Sequence, residues 1–412
     1  MSAAIDPERV PTWRAQPWRA LPWWARVTLV FLAGRALDTV LLLWQAAIEG
    51  PNAWTGAHPR YLDFANIWDG RWYQIVAATA YPVQLPIDGQ GHVEQNTWAF
   101  LPVYPYVVKG VTGLTRLSWE SAAVLVTVLC AWGATLMFYR IMRLRLRPST
   151  AMYATLLFSI APVAALYQVA YAEAMFTLLL TVVLYLWLKR RFWWMLPFLV
   201  VAAFTRPGEV AMALALGLWV LWRLIRAWRG REAFRMPELV ASVAATLVAL
   251  VAGLAWPLIA GHVTGVAGAY TDTELNWRAS YTGWGPLVPF TPWVQGAKWW
   301  FTLWLHLPAW LGYLALVLLV AAFAAFLLMP PARRLGAELR LWIASYALYV
   351  LAVFFPQSST FRILLPLFPA LGVIAAPRAL WYRVSMVVVF VAAQVGWLLL
   401  CWTIGDYDWS PP

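Results

Sequence analysis

Charge is scarce in this chain. Asp, Glu, Lys and Arg make up 12% of its 412 residues, against 63% hydrophobic. Soluble chains average about 25% charged and about 45–50% apolar, so a soluble globular enzyme and a disordered chain are both excluded. Cysteine is scarcer still. The two present, Cys130 and Cys401, fall inside apolar runs and read as core filler, which excludes a disulfide-stapled secreted domain. Only four histidines occur, and no Cys/His spacing of the zinc type exists, so neither a metal nor a cofactor is called for.

What is abundant is apolar length. Eleven runs read as membrane-crossing candidates, at 27–48, 119–139, 150–166, 172–188, 192–205, 208–226, 238–260, 301–328, 340–355, 362–377 and 383–404. With the N-terminus inside, 21 of the 30 basic residues fall on inner segments, and the positive-inside rule holds along the whole chain. The net charge of +12 is therefore an orientation signal, and nucleic acid is not an expected partner. The acids sort the other way, with twelve of the 18 at or beyond the outer surface.

Residues 1–26, polar and carrying Arg9, Arg14, Arg19 and Arg26, read as a cytoplasmic, membrane-hugging tail rather than a cleavable leader. Residues 27–404 form one polytopic domain, and 405–412 an extracytoplasmic tail. Usage rich in Ala, Trp and Arg points to a high-GC bacterium and its plasma membrane. The expected architecture is an all-α polytopic membrane protein of about eleven spans with amphipathic helices in its first outer loop.

Two outer segments, 49–118 and 261–300, are long enough to carry chemistry. Residues 61–76 (YLDFANIWDGRWYQIV) have one helical pattern, with Tyr61, Phe64, Trp68 and Trp72 on one face and Asp69 at its border. Asp69 is either a carboxylate held at the depth of a lipid phosphate or a local cap before Gly70. The segment 99–108, with two prolines among aromatics, suits a re-entrant or surface-docked piece better than a span.

At other outer helix ends stand Glu173, Arg206, Glu209 and Arg362, where unpaired charge is costly. They are either one structural ion pair or the wall of a polar pocket. In the pocket reading, Arg362, Arg206, Arg278 and Lys298 hold a phosphate. Arg35 and Asp38, at i and i+3 inside the first span, read as a mutually neutralising pair.

The order WDGRWY (68–73), AFLPVYP (99–105), YQVAYAEAMF (167–176), TRP (205–207), AYTDTELNWR (269–278) and STFRILLPLFP (359–369) resembles the PIG-V-like mannosyltransferases. That family contains the second mannosyltransferase of GPI-anchor assembly and bacterial relatives, within the GT-C superfamily of lipid-linked-sugar glycosyltransferases. One departure is conservative: Phe-Leu-Pro-Val-Tyr-Pro stands at 100–105 where the family pattern has Phe-Phe-Pro-Leu-Tyr-Pro.

The resemblance implies a GT-C-like fold and inverting transfer of mannose from a polyprenyl-phosphate donor to a hydroxyl of a membrane glycolipid or glycan, on the outer face of the bilayer. It also implies an essential Asp in the first outer loop, which Asp69 matches. Asp69 is then the general base, with Asp63 the runner-up. Arg362 and Arg206 stabilise the departing phosphate. Glu173, Arg71, Tyr73, Glu209 and His92 are candidates for sugar or acceptor contact, His92 having the plain loop reading beside it. Other readings stay open: another sugar (arabinofuranose or glucose) from the same donor class, a lipid-linked-sugar flippase or transporter, or a non-catalytic scaffold member of the fold.

Overall fold

The computed structural model describes residues 20–52 and 54–404. Most of the predicted N-terminal tail and all of the predicted tail 405–412 lie outside the described residues. Among the described residues the fold is all helical, with a single isolated antiparallel bridge between Ile87 and Val93 and no sheet.

Among the described residues, seven helices are long and apolar enough to cross a membrane: Trp23–Ile48, Trp119–Arg145, Glu209–Trp228, Met236–Thr264, Ala309–Leu328, Gly336–Val353 and Leu380–Trp402. The other four predicted spans are shorter or broken. Segment 172–188 is the helix Glu173–Leu188, and segment 192–205 is Phe192–Ala203. Segment 150–166 is not one helix. It stops at Ser159 ahead of Pro162 and resumes as a tight turn, Ala164–Gln168, because a residue preceding proline is driven out of the helical region. Segment 362–377 breaks into Thr360–Ile363, Leu365–Ala370 and Leu371–Ile374 around Pro366 and Pro369, which lack the N–H a continuous helix needs.

Lipid tails solvate apolar side chains as well as a protein core does, so helices in a bilayer associate through close packing of small residues. That pattern is plain here. Ala241, Ala245, Ala249, Ala252 and Ala260 form a buried stripe along Met236–Thr264, while Leu247, Val251, Leu254 and Leu258 of the same helix are exposed. The stripe faces Glu209–Trp228, whose inner side carries Ala211, Ala215 and Trp219. Ala309–Leu328 is the extreme case: mean hydropathy 2.7 with only 6% of its span buried, a helix almost wholly given to lipid.

The bundle has two chemically different ends. At one, Glu338 accepts from Arg145 (2.8 Å) and Arg190 (2.6 Å), Arg190 reaches Glu238 (3.5 Å), and Arg223 joins Glu238 (3.0 Å) to Glu232 (3.1 Å). The arginines lie at or just beyond the C-terminal ends of Trp119–Arg145, Glu173–Leu188 and Glu209–Trp228, and Glu238 and Glu338 in the first turns of Met236–Thr264 and Gly336–Val353. Glu173 and Glu209, the first residues of two of those helices, therefore stand at the opposite end. Inside the first long helix, Arg35 and Asp38 do pair, at 2.6 Å, and Arg35 also donates to the carbonyls of Ser159 and Ala164 that the broken helix leaves free.

Gly253 marks the tightest crossing on the alanine stripe, where an added Cβ would lie 2.8 Å from the backbone nitrogen of Val210. Gly253→Val is expected to destabilise the protein by about 1–3 kcal/mol through overpacking, read as a lower melting temperature in detergent. Gly217→Ala, whose Cβ would meet Thr246 at an ordinary 3.6 Å, should not lower it.

Candidate active site

A strained residue sets the position of Asp69. The single helix predicted over 61–76 is two helices, Tyr61–Ala65 and Asp69–Thr79, because Trp68 between them has φ 54° and ψ −125°. For a residue with a side chain this conformation costs about 1–3 kcal/mol and persists only where its surroundings enforce it. They do so here. Asn66 accepts from the Trp119 indole (3.1 Å) and donates to Gln74 (2.9 Å), and the Trp68 ring packs on Trp54. Gly70 lies so close to Ala170 that a Cβ would approach that residue's own Cβ to 3.2 Å. The backbone N–H of Ala170 bonds to the Ala65 carbonyl (2.9 Å), and that of Asp69 to the Tyr171 hydroxyl (3.2 Å). The first outer loop is thereby fastened to the segment that leads into Glu173.

The break also replaces the expected interfacial helix. Phe64 and Trp68, on the aromatic face of that predicted helix, are buried in the protein. Asp69 becomes the first residue of its helix, where the dipole favours a negative charge.

Asp69 then meets charges from three other parts of the chain. Arg362 donates through Nη1 to Asp69 Oδ2 and, at 3.3 Å, to Glu173 Oε1; Arg206 donates to that same Glu173 oxygen. The four side chains sum to zero charge, which is how ionised groups can be buried at tolerable cost. Glu173 is sealed at 2% exposure, whereas Asp69 keeps 18%. Burial pushes the Asp69 carboxyl above the ordinary carboxylate range. Arg362 opposes that rise and Glu173 adds to it. The Arg362 guanidinium also sits 5.5 Å from the Tyr171 ring centre.

The exposed part of Asp69 faces a cavity of about 460 Å³ that Arg206, Arg362, Tyr73 and Arg278 also line. This is the size of a small-molecule site. Five of the six resemblance segments bring it aromatic or charged residues, among them 68–73, 205–207 and 359–369. Segments 99–105 and 269–278 complete the wall, and 167–176 stands behind it through Tyr171 and Glu173. Arg278 is held by Thr282 (3.2 Å) and Gln295, yet its buried Nη1 has no hydrogen-bond partner among the described residues. A donor of that kind on a cavity wall suits an anion. Among the described residues, no group of three or more His, Cys, Asp or Glu side chains could hold a metal ion.

The remaining candidates lie elsewhere. Asp63 pairs with Arg60 (3.1 Å) at the surface, off the cavity wall. Lys298 is exposed and does not line the cavity. Arg71 turns away to the Trp54 carbonyl (3.0 Å). His92 stacks on Trp284, with ring centres 4.0 Å apart, and contacts Asp88 at 3.3 Å. Glu209 is buried but does not join the Glu173 cluster, and neither of its carboxylate oxygens has a hydrogen-bond partner among the described residues.

Sequence reasoning missed Glu274. It lines the cavity, is hydrogen-bonded by Tyr270, and is pushed by burial up to about 7. The signal was present, because Tyr270, Glu274, Trp277 and Arg278 fall at i, i+4, i+7 and i+8 on one face of the helix Ala269–Thr282. Tyr346 was missed too. It lines the cavity, and its hydroxyl donates to the Ile363 carbonyl (2.8 Å), steadying the turn that carries Arg362.

No family model matches the chain, and no curated protein sequence matches it. Its fold is similar to solved structures of two kinds. One is the oligosaccharyltransferase of Archaeoglobus fulgidus in the apo form, at 12% identity and TM-score 0.47 over 93% of this chain and 56% of that one. The same organism's oligosaccharyltransferase AglB, in complex with an inhibitory peptide and a dolichol-phosphate, aligns at 13% identity and TM-score 0.46 over 91% and 55%. The other is ArnT from Cupriavidus metallidurans bound to undecaprenyl phosphate, at 15% identity and TM-score 0.45 over 90% and 71%. The chain thus spans little more than half the length of the oligosaccharyltransferases. At these identities and TM-scores nothing about its reaction follows from the likeness.

A carboxyl whose folded pKa is raised binds more protons in the folded than in the unfolded state, so its contribution to stability falls as pH rises between the two values. For Glu274 that window runs from the ordinary glutamate value of 4.5 to about 7. Glu274→Gln should flatten the decline of melting temperature across this window, measured in detergent from pH 4.5 to 8. Parallel profiles for variant and wild type would contradict the assignment.

Proposed function

We propose that the chain is a membrane-embedded, inverting glycosyltransferase of the GT-C type, taking its sugar from a polyprenyl-phosphate donor. One observation carries the reading. A partly exposed carboxylate, Asp69, and the guanidinium groups of Arg206, Arg278 and Arg362 line one cavity at the end of the bundle away from the basic network. A phosphate-linked sugar needs this pair of functions and little else, since its leaving group is already activated.

In the proposed reaction the donor phosphate takes the free Nη1 of Arg278 and lies beside Arg206 and Arg362. Asp69 removes the proton of the acceptor hydroxyl as that oxygen forms its bond to C1. The C1–O bond to phosphate breaks on the opposite side, its electron pair leaving with the phosphate, and the anomeric centre inverts. The raised proton affinity of Asp69 makes it a better base than an exposed carboxylate. Glu173 is a positioning residue, which holds both Arg206 and Arg362 through one oxygen. Glu274, poised near neutrality beside Tyr270, suits contact with sugar hydroxyls.

Mannose as the sugar, and the PIG-V-like family, rest on the sequence resemblance, and so does a glycolipid or glycan acceptor. The active site is then extracytoplasmic, on the side opposite the arginine-rich inner segments, in the plasma membrane. Asp63, paired with Arg60 off the cavity wall, falls behind Asp69 as the base.

The test is transfer from labelled polyprenyl-phosphate mannose to a membrane glycolipid extract by reconstituted protein. Asp69→Asn should lower turnover by roughly 10²–10⁴-fold with donor binding retained. Equal turnover would overturn the assignment of the base. Transfer by the wild type only from arabinofuranose or glucose donors would correct the sugar and leave the chemistry standing. Arg362→Lys, which keeps the charge but loses the planar guanidinium whose Nη1 meets both carboxylates, should also lower turnover substantially.

A further inference from the structure

The end of the bundle away from the candidate active site holds a second cavity, of about 700 Å³. Its charged lining consists of four arginines, Arg145, Arg147, Arg334 and Arg378, and no acidic residue lines it. Three chain segments converge to build it: the turn after Trp119–Arg145, the turn after Pro330–Arg333, and the residues after Leu371–Ile374. Trp119–Arg145 has 27 residues and so runs about 40 Å. Its first turn contacts the Asp69 loop through Trp119, and its last residue is in this cavity. The two sites are therefore separated by the length of the bundle.

The arginines are not spent on each other's neighbours. Arg145 alone has a carboxylate, Glu338, at 2.8 Å, and Glu338 is shared with Arg190. The side chains of Arg147, Arg334 and Arg378 have no ion pair or hydrogen bond among the described residues. Like charges gathered without counter-charge repel, and such a group is stabilised by an anion.

Arg147, Arg334 and Arg378 are exposed and open to a ligand from outside, and two further features lie beside them. The helix Pro148–Ser159 meets the wall in its first turn, through its N-cap Arg147 and the buried Thr150, and no side chain caps that helix. Its first N–H groups are left without intrahelical acceptors, and its dipole presents positive charge there. Gly336, at φ +87°, supports the Arg145 guanidinium so closely that a Cβ would come within 2.8 Å of Cζ.

We propose that this cavity is a binding site for a phosphate-bearing anion. The ligand's phosphate oxygens are received by the Arg147, Arg334 and Arg378 guanidinium groups and by the open start of the Pro148–Ser159 helix. The same phosphate chemistry is offered by an anionic phospholipid headgroup and by soluble phosphate, and the experiment separates the two. The site does not depend on the proposed sugar transfer.

The full chain would be placed in phosphatidylcholine nanodiscs and its melting temperature followed against added phosphatidylglycerol, and separately against inorganic phosphate. Wild-type protein should be stabilised by at least one probe. Arg334→Gln combined with Arg378→Gln should weaken that binding by tenfold or more. Arg229→Gln with Arg231→Gln, which removes the same charge from exposed positions outside the cavity at the same end, should leave it unchanged. Stabilisation by phosphatidylglycerol alone identifies the source as a headgroup, and stabilisation by inorganic phosphate as well identifies a soluble anion. No stabilisation by either probe, or equal weakening by both double variants, overturns the proposal.

Discussion

Arg362 holds the candidate site together by giving one guanidinium to two carboxylates, Asp69 and Glu173, while Arg206 takes the remaining charge of Glu173. Removing any one of the four leaves a buried charge without its partner, at a cost of several kcal/mol. The first outer loop, the start of Glu173–Leu188, the turn after Phe192–Ala203 and the broken segment near residue 362 are therefore coupled through one electrostatic unit. The cavity wall is assembled by that unit as much as by apolar packing.

The helices around it obey a different constraint. Because lipid accepts apolar side chains, burying Leu or Val gains little within the bilayer, and the interior is built from alanine stripes and close helix crossings. Inside the bundle Arg35 is paired to Asp38 and to the carbonyls left free where a helix breaks. Arg147, Arg334 and Arg378, without ion pairs among the described residues, gather at one end, where water and lipid headgroups can meet them, and the neutral charged cluster stands at the other.

The sequence pattern failed where several segments had to act at once. Helical periodicity over 61–76 is genuine, yet Asn66, Gly70 and Tyr171 impose a backbone at Trp68 that no local preference favours. Glu209 and Glu173 have the same local description, an acid beginning an apolar helix, but only Glu173 meets two arginines. Glu274 was legible in principle, because its face of Ala269–Thr282 repeats at helical spacing. What the spacing lacked was any sign that this face turns toward Asp69.

By itself the sequence determined the class of the molecule and the segregation of its charges. Apolar run length, the scarcity of charge and the clustering of arginine in short segments are one-dimensional quantities that the bilayer reads directly. Asp69, Arg206 and Arg362 could be singled out from the sequence because ionised groups beside apolar runs are expensive wherever they fall. Tertiary structure alone decided which of these charges neutralise one another, that Asp69 opens a helix beside a cavity, and that Asp63, Lys298 and Arg71 face away. Pairing depends on distance between residues remote in the chain, and the decay of electrostatic interaction over a few ångströms makes that distance invisible to spacing along it.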